Sequence, residues 1–458
     1  MSLYLILSIL GALVLLSSLG RGKRLVVPLA IAGLLGALAV TGMGLGLDHP
    51  LLKGMAEFDR YAVLFSCLLL VLGTLVVLLL TNPNERSDIP RVEMAALLLF
   101  SLTGGIMMAS FAHLVMLFLG VEILSIPLYI LAGARKRERA GNEAALKYFI
   151  TGSFATGFLL FGIALIYGAT GSFSTRAIAA WAEANPAVFT PMFHLGLLLM
   201  LVGLAFKISA APFHFWAPDV YEGSPSIVTS FMSTVVKVAA IAAFYRLFSE
   251  AFPAAADAWS WVIAAVAALT LAVGNLGALA QRSFKRLMAY SGISHAGFLL
   301  LALLSVGPGS AGALWIYAAA YSFATLIAFV SLLAVEAAGG GESLEALSGL
   351  GRRNPFLGVC LTISMLSLIG VPPLAGFFGK LFVFGNAVSQ RHVVLVVFAV
   401  VMSAVGMAYY MRPIIQTWLR PPAGSPFQLS TSQAWVLGIA TAFVVLLAAA
   451  PVWVMRFL

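Results

Sequence analysis

The chain is poor in charge: Asp, Glu, Lys and Arg make up only 9% of its 458 residues, and just 17 of them are acidic. Soluble globular domains carry about 25%. With 62% hydrophobic residues and a mean hydropathy of +1.04, this scarcity excludes a soluble protein. Cysteine is scarce too. Cys67 and Cys360 lie in separate apolar stretches, with neither a disulfide framework nor a metal-ligand spacing, and read as inert buried thiols. Long polar stretches are absent as well; every segment between apolar runs is shorter than the roughly 40 residues a small unaided domain needs. There is no room for a dinucleotide or flavin fold. Gly339, Gly340 and Gly341 sit beside acidic Glu336, Glu342 and Glu345 and lack the strand and helix of a phosphate loop. The net charge of +9 lies in short loops, where it reads as a topology signal rather than a nucleic-acid surface. No basic leader precedes the first apolar run, since Arg21, Lys23 and Arg24 follow it, so that run is expected to remain as the first helix.

What the sequence does contain is long apolar runs. A bilayer core about 30 Å thick takes about 20 apolar residues per helix. Cutting at charged and Pro/Gly-rich punctuation predicts fourteen spans, near 2-19, 25-43, 60-81, 91-109, 112-133, 144-168, 192-217, 225-248, 258-280, 285-305, 311-336, 354-388, 391-412 and 431-455. Loops after odd-numbered spans hold sixteen Lys and Arg, from Arg21 through Arg86 and the Arg135, Lys136, Arg137, Arg139 cluster to Arg420. The even side holds about six, Lys53, Arg60, Arg176, Arg246, Arg391 and Arg456. By the positive-inside rule the odd loops are cytoplasmic and both termini face outward.

Two segments echo one another. Tyr148 to Thr156 reads YFITGSFAT and Tyr317 to Thr325 reads YAAAYSFAT, 169 residues later, while Glu122 to His295 and Lys207 to Lys380 are each 173 apart. Each repeat would hold five spans, and five is odd, so the second copy enters the membrane from the opposite face. The expected organisation is three helices in 1-90, a first five-helix repeat in 91-248, an inverted second in 249-417 and a last helix in 418-458. The fold class is an all-α polytopic membrane protein of about fourteen transmembrane helices, with two inverted five-helix repeats and two discontinuous helices.

Few charges lie well inside the spans: Lys207, Lys237, Lys380 and Glu122. Each costs about 2.5 to 3.5 kcal/mol at a helix centre, on the order of 10 kcal/mol for four facing lipid, so they must face protein or water. Burial disfavours the charged form of a lysine and brings a group that ordinarily titrates near 10.4 within reach of neutral pH, where it can load and release a proton. Glu122 is the natural control charge for Lys207. Lys237 could receive the proton, with His295 and Lys380 carrying it on, His295 because its two ring nitrogens can exchange a proton. Competing readings are a structural ion pair for Glu122, snorkelling for Lys380, and a core histidine bonded to a backbone carbonyl for His295. His214 stands beside a predicted break at Pro212, and Lys380 follows a second one at Pro372 and Pro373. Proline removes a backbone donor, and in lipid the freed carbonyls need a protein-lined or watery interior. Asp219 and Glu222 follow span 7, either as proton-attracting acids or as solvated loop residues.

The stretch Pro212-Phe-His-Phe-Trp-Ala-Pro-Asp-Val-Tyr-Glu-Gly-Ser-Pro225, with Thr229-Ser-Phe and Lys237 after it, resembles the antiporter-like membrane subunits of proton-pumping NADH:quinone oxidoreductase, respiratory complex I, and among them the subunit N family. Glu122-Ile-Leu-Ser-Ile-Pro-Leu-Tyr129 and Tyr290-Ser-Gly-Ile-Ser-His295-Ala-Gly are similar to the same family, and the resemblance spans essentially the whole chain. It implies proton translocation along Glu122, Lys207, Lys237, His295 and Lys380, with His214 a weaker candidate. It also implies no cofactor or metal in this chain, with flavin, iron–sulfur clusters and quinone in partner subunits. The expected partners are other complex I subunits and the lipid bilayer, not nucleic acid, and the expected location is the bacterial inner membrane. Subunit L has a long lateral helix after its last span that has no counterpart here, and subunit M and the antiporter relatives typically place Glu where this chain has Lys380. A multisubunit sodium/proton antiporter subunit and a non-conducting structural subunit are the alternative functions.

Overall fold

The structure, a computed structural model, describes residues 3–17, 23–44, 52–81, 88–185, 190–307 and 309–449. The chain's two ends lie outside the described residues, as do Arg21, Arg86 and Arg456 of the charge count. Among the described residues the regular structure is helical, with three isolated bridges, Ala56 to Phe111, His113 to Ser174 and Ser283 to Ser343.

In chain order the helices are α1 (Leu3–Ser17), α2 (Lys23–Gly42), α3 (Arg60–Leu79), α4 (Arg91–Ser110), α5 (Leu114–Ala132), α6 (Arg139–Thr170), α7 (Thr175–Ala184), α8 (Pro191–Lys207), α9 (Trp216–Gly223), α10 (Ser226–Phe231) and α11 (Lys237–Glu250). They continue with α12 (Ala256–Leu279), α13 (Phe284–Leu303), α14 (Ser310–Ala337), α15 (Leu350–Arg353), α16 (Pro355–Ile369), α17 (Ala375–Ser389), α18 (Val393–Leu419) and α19 (Thr431–Ala449). Among the described residues eleven stretches are long and apolar enough to cross a bilayer, and α1, α8 and α16 are shorter apolar helices. Together they make the fourteen crossings of a multi-pass membrane protein. Polar caps start several of them at the expected places: Asp59 accepts from Ala62 N at 2.8 Å, and Asn354 accepts from Leu357 N at 3.1 Å just before Pro355.

Both predicted breaks are present. The seventh crossing stops at Lys207, turns through residues 208–215, with Ser209 in the left-handed region (φ 60°), and resumes as α9. The twelfth stops at Ile369, where Gly370 takes φ 91°, and resumes as α17. The eighth crossing carries a π turn over Met232–Val236 directly before Lys237. Span 6 is longer than expected because the helix formers Glu143 and Lys147 extend it back to Arg139 beyond the apolar run. The unforeseen α7 is a short amphipathic helix that buries Ile178 and Ala182.

The central stretches of span Ser226–Glu250 and of α14 are buried throughout, while α6 and α18 turn large apolar residues such as Phe154 and Val394 outward. Neighbouring crossings approach closely through small residues. A Cβ at Gly104 on α4 would meet Leu124 N of α5 at 2.3 Å, and one at Gly274 on α12 would meet Ser294 N of α13 at 2.4 Å.

Candidate functional site

Lys207 is the last residue of α8, so the break delivers its side chain into the bundle from a helix carboxyl end, where a cation is favoured. It is 4% exposed. Its Nζ donates to Ser125 Oγ at 2.6 Å and reaches Tyr148 Oη at 3.5 Å, and it stands 5.6 Å from the Tyr148 ring centre. Tyr148 in turn stacks on Trp216 of α9 at 4.6 Å, tying both sides of the break to one pocket. Glu122 lies one turn before Ser125 on α5, half-buried and close enough for its charge to act on Lys207. The competing reading of Glu122 as a structural ion pair is not met: serine is the direct partner of Lys207, and among the described residues no side-chain hydrogen bond or ion pair ends on Glu122.

Lys237 begins α11, swung into place by the π turn, and donates to the carbonyl of Gly292 on α13. Gly292 is required for this approach, because a Cβ there would lie 2.8 Å from Lys237 Nζ. The Tyr321 ring centre is 5.9 Å from Lys237 Nζ and 4.8 Å from the His295 ring, so one tyrosine contacts both groups. His295 bonds no backbone carbonyl. Its Nδ1 meets Tyr317 Oη at 2.7 Å and its Nε2 meets Tyr410 Oη at 3.0 Å, and Tyr410 is further bonded to Ser291. Lys380, 7% exposed, does not snorkel. Its Nζ donates to the carbonyls of Leu368 at 3.1 Å and Ile369 at 2.8 Å and to Ser403 Oγ at 2.8 Å, which places the ammonium on the carboxyl end of α16. Phe298 lies between the last two groups, 4.7 Å from Lys380 Nζ and 5.9 Å from the His295 ring.

The structure thus brings Lys237, His295 and Lys380 into one contiguous set, and gathers Glu122 and Lys207 into another. No side-chain contact among the described residues joins Lys207 directly to Lys237. From Lys207 an aromatic series, Tyr148, Trp216 and Tyr221, leads instead toward Phe329 of α14. His214 is buried beside Phe215, and its Nδ1 has no partner. Asp219 and Glu222 are not free loop acids. Arg286 pairs with both, at 2.8 and 2.9 Å, and Lys147 pairs with Asp219 at 2.7 Å.

Sequence reasoning missed three further buried cations among the described residues, Arg246, Lys285 and Arg353, because all stand near span ends. Arg246 is 1% exposed, pairs with Asp59 and Glu250, and donates to the carbonyls of Phe111 and Ala109. Lys285 is fully buried between Glu342 at 2.6 Å and Glu336 at 3.8 Å. It also missed the tyrosine and serine partners, which only the packing reveals.

A family model described as NADH:quinone oxidoreductase/Mrp antiporter, TM matches residues 111–406. NADH-quinone oxidoreductase subunit N of Cytophaga hutchinsonii is 40% identical over 456 residues, covering 98% of this chain and 98% of the relative. The protein of the same name from Flavobacterium johnsoniae is 40% identical over 430 residues, 91% and 92% of the two chains. Among solved structures, a chain of respiratory complex I from Thermus thermophilus with bound aureothin superposes with a TM-score of 0.83 at 36% identity, over 99% of this chain and 98% of that one. A chain of the archaeal membrane-bound sulfane sulfur reductase gives 0.87 at 26% identity, over 99% and 95%. A chain of the Mrp complex from Dietzia sp. shares the fold at 20% identity, with a TM-score of 0.87. By family model and by relatives matched along nearly their whole length, the chain belongs to the NADH:quinone oxidoreductase/Mrp antiporter transmembrane family, among the subunit N proteins.

Proposed function

We propose that the chain is a proton-translocating membrane-arm subunit of respiratory NADH:quinone oxidoreductase, in which Glu122, Lys207, Lys237, His295 and Lys380 carry the proton. One observation supports this above others: among the described residues, three lysines buried in the membrane each donate only to neutral oxygen acceptors and stand against aromatic rings. A structural lysine in such a place would have a carboxylate fixed against it. A lysine held by hydroxyls and carbonyls keeps partners in both protonation states, because a neutral amine still has two N–H hydrogens to donate and gains a lone pair that a hydroxyl can donate to.

Electron transfer in partner subunits, which hold the flavin and iron–sulfur clusters, moves Glu122 relative to Lys207 and changes how tightly the lysine holds its proton. Lys237 and His295 pass the proton onward and Lys380 releases it. The sequence repeat supports two units, 91-248 and 249-417, flanked by three helices and a last one. The offset of 169 relates Tyr148 to Tyr317, each bonded to a relay residue. An offset of 170 relates the close helix contacts Gly104 to Leu124 and Gly274 to Ser294, and one of 173 relates Lys237 to Tyr410. The charge bias of the loops supports a reading in which uptake is from the cytoplasmic side of the bacterial inner membrane and both termini face outward.

Reconstituted complex carrying Lys207→Met or Glu122→Gln should lose most NADH-driven, quinone-dependent pumping and turnover with its subunits still assembled. Unchanged proton stoichiometry and turnover would reject the assignment. Copurification of flavin and iron–sulfur proteins in mild detergent separates this reading from the antiporter one.

A further inference from the structure

On the basic face of the molecule, five side chains from four parts of the chain meet. Lys285 of α13 is fully buried and donates to Glu342 at 2.6 Å and to the carbonyl of Ser224 at 3.0 Å. Arg135 also reaches Glu342, at 3.4 Å. Glu336 of α14 stands farther from Lys285, at 3.8 Å, and accepts from Ser226 Oγ, the first residue of α10, at 2.8 Å. Glu342 therefore keeps Lys285 paired whatever the protonation state of Glu336. A carboxylate so placed can take up and release a proton without stranding a buried cation.

From Ser226 a line of buried hydroxyls runs inward: Ser230, Ser233 and Thr234, at positions i+4, i+7 and i+8, on the span that ends its π turn at Lys237. At 1.5 Å per residue this path is about 16 Å long. On the facing helix α14, the hydroxyls of Thr325, Ser322 and Tyr321 are buried, Thr325 beside Tyr321, and among the described residues none of the three makes a hydrogen bond of good geometry. Buried polar groups are paired with protein or with water, so three adjacent orphans mark a place for water. Tyr321 brings that line to Lys237 and His295.

We infer that Glu336 is the proton-loading carboxylate of a second uptake line, running through the Ser226–Thr234 hydroxyls and the Thr325–Tyr321 pocket to Lys237 without passing Glu122 or Lys207. This rests on the relay reading above. The Glu336 carboxylate takes a proton from water at the basic face, forming an O–H bond. It passes that proton to the hydroxyl and water chain, where each oxygen accepts one proton as it gives up another, and the neutral Lys237 amine takes the last to become ammonium. Glu336 returns to carboxylate, and no other charge changes.

The test uses the whole complex in proteoliposomes, comparing Glu336→Gln, Glu336→Asp, Thr325→Val and Lys237→Met. Glu336→Gln should lower NADH-driven pumping on the order of tenfold, Glu336→Asp should restore most of it, and the infrared C=O change of a protonating carboxyl seen in turnover should vanish in Glu336→Gln. Thr325→Val keeps the volume of the side chain and removes a hydroxyl that stands beside Tyr321, so a purely structural role predicts at most a small effect on pumping, whereas a water line predicts pumping slowed several-fold. Wild-type pumping in Thr325→Val overturns the proposal even if Glu336→Gln fails to assemble, as does wild-type pumping in Glu336→Gln. If Lys237→Met stops pumping while those two do not, this second line alone fails; if Lys237→Met also pumps normally, the relay itself fails.

Discussion

Lys207 and Ser125 are joined by a 2.6 Å hydrogen bond across α8 and α5, and Ser125 sits one helical turn beyond Glu122. The serine hydroxyl, bonded back to the carbonyl of Val121, fixes where the ammonium rests relative to the carboxylate. Glu122 and Lys207 are therefore separated by a neutral hydroxyl rather than locked in contact. A small displacement of α5 can change their interaction steeply, because Coulomb energy inside a protein is large at short range.

Removing that hydroxyl should matter without unfolding anything. Ser125→Ala deletes a charge-assisted bond worth about 1.5 to 3 kcal/mol and leaves a small residue in a helix that accepts it. The expected outcome is normal complex content with coupled turnover lowered several-fold, read as dye-detected proton uptake per NADH oxidised. Wild-type coupling would show that Ser125 does not set the position of Lys207.

Two glycines should separate function from folding. A Cβ at Gly292 would lie 2.8 Å from Lys237 Nζ, the mobile end of a long side chain, so Gly292→Ala should assemble but push the amine off its carbonyl and cut pumping. A Cβ at Gly376 would lie 1.8 Å from the carbonyl oxygen of Ser367, where backbone must give way, so Gly376→Ala should lower the amount of assembled complex. Native gels and pumping assays on the two variants should give opposite patterns.

Much of the fold could be read before the structure because apolar length and proline are local signals. Pro212 and the pair Pro372 and Pro373 announced the breaks, and Lys207, Lys237 and Lys380 stood out against apolar neighbours. What remained hidden is tertiary. Lys285 and Arg246 sit at span ends, where sequence cannot tell a loop charge from one sealed under a neighbouring helix. The π turn before Lys237 has no proline or glycine to mark it, since Met232–Val236 reads as ordinary helix. Tyr317 and Tyr410 lie 93 positions apart and meet only on His295.

Arg246 should prove structural rather than catalytic. Its guanidinium bonds two carboxylates and two backbone carbonyls at once, which a lysine cannot reproduce. Arg246→Ala leaves Asp59 and Glu250, each partly open to water, without their cation, and strands the carbonyls of Phe111 and Ala109, which costs about 1 to 3 kcal/mol for each group left unsatisfied. The purified complex should melt earlier and shed this subunit, with proton stoichiometry unchanged in whatever complex survives. A loss of stoichiometry at full assembly would place Arg246 on the proton path instead.

The two tyrosines on His295 make the sharpest prediction. A neutral imidazole has one donor and one acceptor nitrogen, so with Tyr317 at Nδ1 and Tyr410 at Nε2, one phenol donates to the ring while the other accepts from it. Passing a proton through the ring exchanges those roles, and both phenols must turn over together for the site to reset. Tyr317→Phe should therefore slow pumping several-fold and enlarge the effect of replacing H2O by D2O. Tyr410→Phe should do the same, and the double variant should be little worse than either single one, because the ring needs both partners for one transfer. If the two losses multiplied independently, the tyrosines would serve separate tasks and His295 would be a packed core residue with convenient neighbours.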